Sequence, residues 1–174
     1  MPGYVIHLAV AEAYRSKHIE DINNYESFIE GVIFPDSVSD KSVTHYGIKS
    51  SKVNLKKFLE KNKIDNDYNK GYFLHLVTDY IFYNKFLECF SKDIYNDYDI
   101  LNKTLQDKFN VIVPKSVKEK VFYKEGKTVI LEQEKVIKFI EEVSDYNLVD
   151  IKEEILKNNK YWLEFKSLPK KIDN

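Results

Sequence analysis

Arginine occurs once in this chain, at Arg15, and cysteine once, at Cys89. A lone cysteine excludes an internal disulfide, which suits a reducing compartment such as the cytoplasm. A lone arginine excludes a clamp of several guanidinium forks, so a bound phosphate would have to be met by a metal, lysines or backbone N–H groups. Glycine (5) and proline (4) are scarce, and neither a repeat nor a low-complexity linker divides the 174 residues. One domain over residues 1–174 is therefore expected. No apolar run approaches the roughly 20 residues of a membrane span. The opening MPGYVIHLAVAEAYR lacks a basic leader region and a small-residue cleavage site, and reads as the first helix of the fold. The formal net charge of −1 leaves no basic excess for wrapping a nucleic-acid backbone.

What is present is a globular composition: 43% hydrophobic, 32% charged and 14% aromatic residues, enough large rings to fill a core. Ile6, Val10, Ala13 and Tyr14 recur at helical spacing and predict a helix over Tyr4 to Lys17. A second helix is expected from Asp21 to Gly31, with Gly31 as its stop. The Pro, Ser and Asp content of VIFPDSVSDKSVTHYG reads as an ordered loop. Further helices are expected over Ile48 to Lys61, Tyr68 to Phe90, Asp97 to Phe109, Glu132 to Val143 and Leu148 to Phe165. Of these, Tyr68 to Phe90, apolar nearly all round in its middle, should be the buried centre of a bundle. Residues 110 to 131 read either as extended, with a hairpin turn at Glu125-Gly126, or as irregular structure between helices. Trp162 and Phe165 are expected to anchor the last helix. The class is all-α.

Chemistry concentrates on few residues. His75 and Asp79 stand four apart on the most apolar helix and share one face. A buried carboxylate there needs a cation or hydrogen-bond donors. A divalent metal would satisfy both residues; an intrahelical His–Asp pair, or a histidine bonded to a backbone carbonyl, would also do. Asp36 and His45 lie in the expected loop. Asp36 reads as a turn residue, a helix N-cap or a ligand, and Asp40 as a turn or cap residue. His7 lies among apolar residues of the first helix, where a satisfied core histidine is the ordinary outcome. His18 sits in a polar stretch and reads as exposed or as a helix C-cap. Imidazoles and carboxylates without thiolates suit zinc, or another first-row ion such as manganese or iron. The HxxxH, HExxH and CxxC patterns are absent.

Together, MPGYVIHLAVAEAY, FIEGVIFPD, THY and GYFLHLVTDYIFY resemble the zinc-dependent phospholipase C family of bacteria, and more distantly the S1/P1 nucleases. The likeness covers roughly the first half of the chain. It implies an all-helical fold with a zinc cluster in a cleft, one ion being held by Asp36, His45, His75 and Asp79. It also implies a second ion held by His7, the bridging Asp79 and an N-terminal residue, a place that falls on Pro2 here. The family's third ion uses histidines beyond HxxxD, and this chain has none after His75; Lys85 stands about where the first would fall. No third site is therefore expected.

The resemblance implies a zinc-dependent phosphoester hydrolase acting on a small phosphoester or a phospholipid. Asp36 would orient or deprotonate the attacking water, and Lys85 either contacts a substrate phosphate or is solvated. A non-catalytic relative with a structural metal is the alternative. The adjacent His-Asp dipeptide of HD-type phosphohydrolases is absent.

Overall fold

Asparagine writes four of the helix starts. Side chains of Asn24, Asn54, Asn66 and Asn147 each accept from a backbone N–H in the first turn of the helix that follows, satisfying a donor the helix itself leaves open. Asp40 does the same through Ser42 N at 3.0 Å. The computed structural model describes residues 3–163 and 169–172. Its helices are α1 (Tyr4–Lys17), α2 (Tyr25–Ser37), α3 (Lys41–Thr44), α4 (Leu55–Lys61), α5 (Asp67–Ile81), α6 (Asp93–Phe109), α7 (Gln133–Asp145), α8 (Leu148–Leu156) and α9 (Lys160–Leu163). Two strands of two residues, β1 (Cys89–Phe90) and β2 (Lys170–Lys171), pair in parallel. Among the described residues the fold is thus all-α in substance.

The central helix is α5, whose residues Gly71 to Ile81 are all buried. It packs most extensively on α2, while α1 packs on α7, α6 and α2. The α2–α5 crossing is held at backbone contact by two glycines. A Cβ on Gly31 would lie 1.9 Å from the Tyr68 carbonyl oxygen, and one on Gly71 would lie 2.0 Å from that of Phe28. Aromatic rings fill the flanks: Phe28, Phe58 and Phe73 are fully buried. A second group joins Phe82, Phe86 and Phe139. Trp162 closes over Tyr80 and Tyr146, as expected of an anchor; Phe165 lies outside the described residues.

Several expected boundaries move. Gly31 does not end its helix: α2 runs on through Pro35 to Ser37, because the glycine serves the crossing with α5. Pro35 removes one N–H bond in the last turn only, a loss small enough for burial to offset. The stretch expected as a loop is therefore helical over most of its length, in α2 and α3. The helix expected from Ile48 begins at Leu55, after the Asn54 cap. The α5 helix gives way at Phe82–Phe86 to a wider turn, in which Leu87 N bonds Phe82 O at 2.8 Å.

Helix α6 starts one turn before the expected Asp97. Asp97 is buried within it and accepts from the backbone N–H groups of Val129, Ile130 and Leu131. Residues 110–131 hold a 3-10 turn (Lys115–Lys120) and otherwise irregular chain, tied down by that carboxylate instead of by a hairpin. The expected last helix divides into α8 and α9. His18 is the C-cap residue of α1, stacked on Tyr14, with its ring bonded to Ser144 O at 3.0 Å.

Candidate metal centre

Three helices and one short turn bring five side chains to one point beneath the α2–α5 crossing. His7 comes from α1, Asp36 from the last turn of α2, His45 from the end of α3, and His75 and Asp79 from successive turns of α5. All five are buried, none more than 3% exposed. Local bonds explain the placement. Thr44 Oγ1 donates to Pro35 O at 2.8 Å and Tyr72 OH donates to Thr44 O at 2.7 Å, tying α3 to both α2 and α5. Tyr4 OH donates to the Asp36 carbonyl at 2.8 Å, joining α1 to the end of α2.

The donor atoms face one another closely. His45 Nε2 is 2.9 Å from Asp79 Oδ2 and His7 Nε2 is 3.1 Å from Asp79 Oδ1. His75 Nε2 stands 3.6 Å from Asp79 Oδ2 and 3.8 Å from Asp36 Oδ1, and His45 Nε2 is 3.6 Å from Asp36 Oδ1. The His7 and His75 rings stack at 3.8 Å between centroids. Two sets, His7–His75–Asp79 and Asp36–His45–His75, each bring one donor atom per residue within 4.8 Å of the others. The Asp79 carboxylate thus turns one oxygen to His7 and the other to His45 and His75.

Tautomers follow from the backbone. His75 Nδ1 is 2.7 Å from Val32 O, and His45 Nδ1 is 2.7 Å from Lys41 O. A carbonyl only accepts, so each Nδ1 carries the proton. In the neutral rings both Nε2 atoms are then bare lone pairs, and they sit 3.3 Å apart, facing carboxylate oxygens that also only accept. Neither Asp79 oxygen, nor Asp36 Oδ1, nor either His7 nitrogen has a partner in hydrogen-bond geometry among the described residues. Such a cluster of acceptors is stable only around a cation, either added protons or a metal. The donor set, three imidazoles and two carboxylates, with the outer nitrogens of His45 and His75 oriented by backbone carbonyls, fits a divalent first-row metal such as zinc.

The electrostatics carry the same message. Burial pushes the His75 imidazolium down, but the Asp36 and Asp79 charges outweigh it and hold the group above its ordinary value. Burial pushes His7 down, and the charge of His75 adds to that, beyond what Asp79 restores. For Asp79, burial works upward, but the charges that His75 and His7 carry when protonated hold the carboxyl well below the usual range.

The structure brings together all five residues singled out from the sequence. It also corrects the reason for choosing Asp36, which lies on a helix and not on a loop. Lys85 is placed elsewhere: its ammonium sits 4.4 Å from the centroid of the Tyr161 ring. The cation that reaches the cluster is Lys41, with Nζ 3.7 Å from Asp36 Oδ1. Sequence reasoning missed it; its i,i+4 relation to His45 is visible only once 41–44 is known to be helical. Pro2, the place implied for an N-terminal ligand, lies outside the described residues. Beside the cluster a cavity of about 320 Å3 opens between Gly3, Tyr4, Asp36, Tyr98, Asn102 and Lys120, and Asp36 forms the boundary between the two.

No family model, curated protein or solved structure matches this chain. The chemistry therefore rests on these residues and their geometry. Among the described residues no helix is long and apolar enough to cross a membrane.

Proposed function

We propose that this protein is a metal-dependent phosphoester hydrolase, with zinc as the ion and a small phosphoester as substrate. One observation carries the reading: both Asp79 oxygens, Asp36 Oδ1 and both His7 nitrogens are buried without hydrogen-bond partners among the described residues, the Nε2 lone pairs of His45 and His75 face them, and Asp36 borders a cavity. Asp36, His45, His75 and Asp79 would hold one ion, and His7 with the second Asp79 oxygen would hold another. A bound divalent ion supplies Lewis acidity toward a phosphoryl oxygen and lowers the pKa of water toward neutrality.

The residues do the rest. The Val32 and Lys41 carbonyls fix the His75 and His45 rings so that Nε2 is always the free donor atom. Asp36, at the cavity edge, would take a proton from an attacking water. Lys41 offsets part of the negative charge of the two carboxylates. A cavity of about 320 Å3 lies at the small end of ligand sites, which favours a compact phosphoester over a two-chain lipid.

Metal analysis of protein purified without chelators, followed by phosphomonoester and phosphodiester assays, tests the reading. Wild type should carry at least one equivalent of metal and turn over substrate, while Asp36→Asn and His75→Ala should lose most activity. Equal activity in all three proteins would end the hydrolase case. A structural metal in a non-catalytic protein is the second reading, favoured by the near-complete burial of all five donors. Full metal occupancy without turnover of any ester would select it.

A further inference from the structure

A second cavity, of about 640 Å3, uses none of the five cluster residues. It lies between the chain that follows His45, the start of α4 and the end of α9. Its walls are largely apolar: Tyr46, Val53, Leu55, Trp162 and Leu163 line it. Val53, Leu55 and Trp162 are buried parts of the core, and the Tyr46 ring packs edge-on against Phe58, so the floor belongs to the packed interior. Gly47 shapes the rim. A Cβ there would overlap the Lys52 carbonyl, and Lys52 N bonds Lys49 O at 2.9 Å. The loop thus closes on itself and leaves Ile48 on the rim, 86% exposed.

The charge around this cavity is of one sign. Lys52, Lys56 and Lys57 line it, and no carboxylate does among the described residues. Lys56 Nζ donates to the neutral Asn158 Oδ1 at 2.9 Å. The Lys52 and Lys57 ammonium groups have neither an ion-pair nor a hydrogen-bond partner among the described residues. The carboxylate bonded to a wall residue, Glu154, accepts from Trp162 Nε1 and is not part of the lining. Three cations around apolar walls, in a chain whose formal net charge is −1, attract a negative head that carries an apolar body.

We propose that this groove binds a small amphiphilic anion. Lys52 and Lys57 meet a carboxylate or phosphoryl head, and one alkyl or aryl chain lies on the wall of Tyr46, Leu55 and Trp162. The volume is that of a small-molecule site, apolar with a few placed polar groups. Lysine acts as a point charge and does not select a planar head over a tetrahedral one, so both heads fit one site. No metal-cluster residue takes part, so the inference stands apart from the hydrolase reading.

Calorimetric titration of the full chain tests it. Fluorescence is the second readout, because the chain's one tryptophan lines the groove. The probes, all kept below micelle formation, are decanoate, octanoate, decylphosphonate, decanol and decyltrimethylammonium. Decanoate and decylphosphonate should bind and shift the Trp162 emission, and the tighter of the two names the head group. Octanoate, shorter by two methylenes, should bind about tenfold more weakly than decanoate. Decanol should bind several-fold more weakly than decanoate, and the ammonium more weakly still. Lys52→Gln and Lys57→Gln should each weaken decanoate about threefold to tenfold. Ile48→Glu, which puts a carboxylate on the exposed rim, should weaken it at least as much. All three variants should melt with the wild type.

Decanol or the ammonium binding as tightly as decanoate overturns the proposal, as does equal decanoate affinity in wild type and the three variants. Absence of heat with both anions overturns it too. Binding that leaves the Trp162 emission unchanged places the anion elsewhere and has the same consequence.

Discussion

Placing a methyl group at Gly71 sets two helix backbones against each other at the point that orients the centre. The new Cβ of Gly71→Ala would lie 2.0 Å from Phe28 O, 2.9 Å from Phe28 C and 3.0 Å from Val32 N. The nearest atom is a carbonyl oxygen inside a helix, which cannot swing aside as a side chain can. The helices must separate by about 1 Å to reach a contact that real Cβ atoms show. Overpacking of this kind costs about 1–3 kcal/mol, and rigid backbone on both sides points to the upper end. Alanine returns about 1 kcal/mol in helix propensity. The net loss is about 2 kcal/mol, or about 4–8 °C in melting temperature for a chain of this size.

Gly31→Ala, with its Cβ 1.9 Å from Tyr68 O, should cost the same. The double variant should cost less than the sum, because one separation serves both methyls. Urea and thermal unfolding of metal-free protein measure all three. The crossing also carries the bond from His75 Nδ1 to Val32 O, so zinc affinity should fall about tenfold in each single variant. A Gly71→Ala protein as stable as the parent, or more so, would refute the close-crossing argument.

Saturating zinc should stabilise the protein against heat. At a thousandfold excess over the dissociation constant the gain is about 4 kcal/mol, or about 8–16 °C, and chelator should reverse it; an unchanged melting curve would count against a native metal site. In metal-free protein, raised His75 contributes stability that is full below about pH 6.5 and lost as pH rises through its higher folded value. Lowered His7 works in the other window, removing stability as pH falls below about 6.5, so urea midpoints should decline on both sides of that pH. Zinc competes with the His75 proton, so its apparent affinity should start to fall at a pH above the ordinary histidine range; a flat profile between pH 6 and 8 would contradict the arrangement. Asp97→Ala should cost about 3 kcal/mol or more, since it leaves the three backbone N–H groups of 129–131 without their acceptor, and chemical denaturation measures it directly.

The sequence alone was enough for what is periodic and local. Helical spacing placed α1 at its observed bounds, and the unbroken apolar run of α5 marked the buried centre, because one face or all faces of a helix must leave water. The same locality showed that His75 and Asp79 share a side of α5. Asparagine caps at Asn54 and Asn147 mark the true starts of α4 and α8, a signal as local as any.

Only the tertiary structure decided the rest. Gly31 and Pro35 look like terminators in a one-dimensional reading. In three dimensions the first is a contact surface for the α5 backbone at Tyr68 and Tyr72, and the second costs one bond that packing offsets. Whether His7, Asp36 and His45 reach the α5 pair depends on the angle at which α2 crosses α5, and on Thr44 and Tyr72 drawing α3 inward. Those are contacts between residues 28 to 43 positions apart, and no pattern within a single helix encodes them. The same holds for Lys41, whose ammonium meets Asp36 on another helix. Local periodicity selects which face is buried; the packing of those faces selects which donor atoms meet.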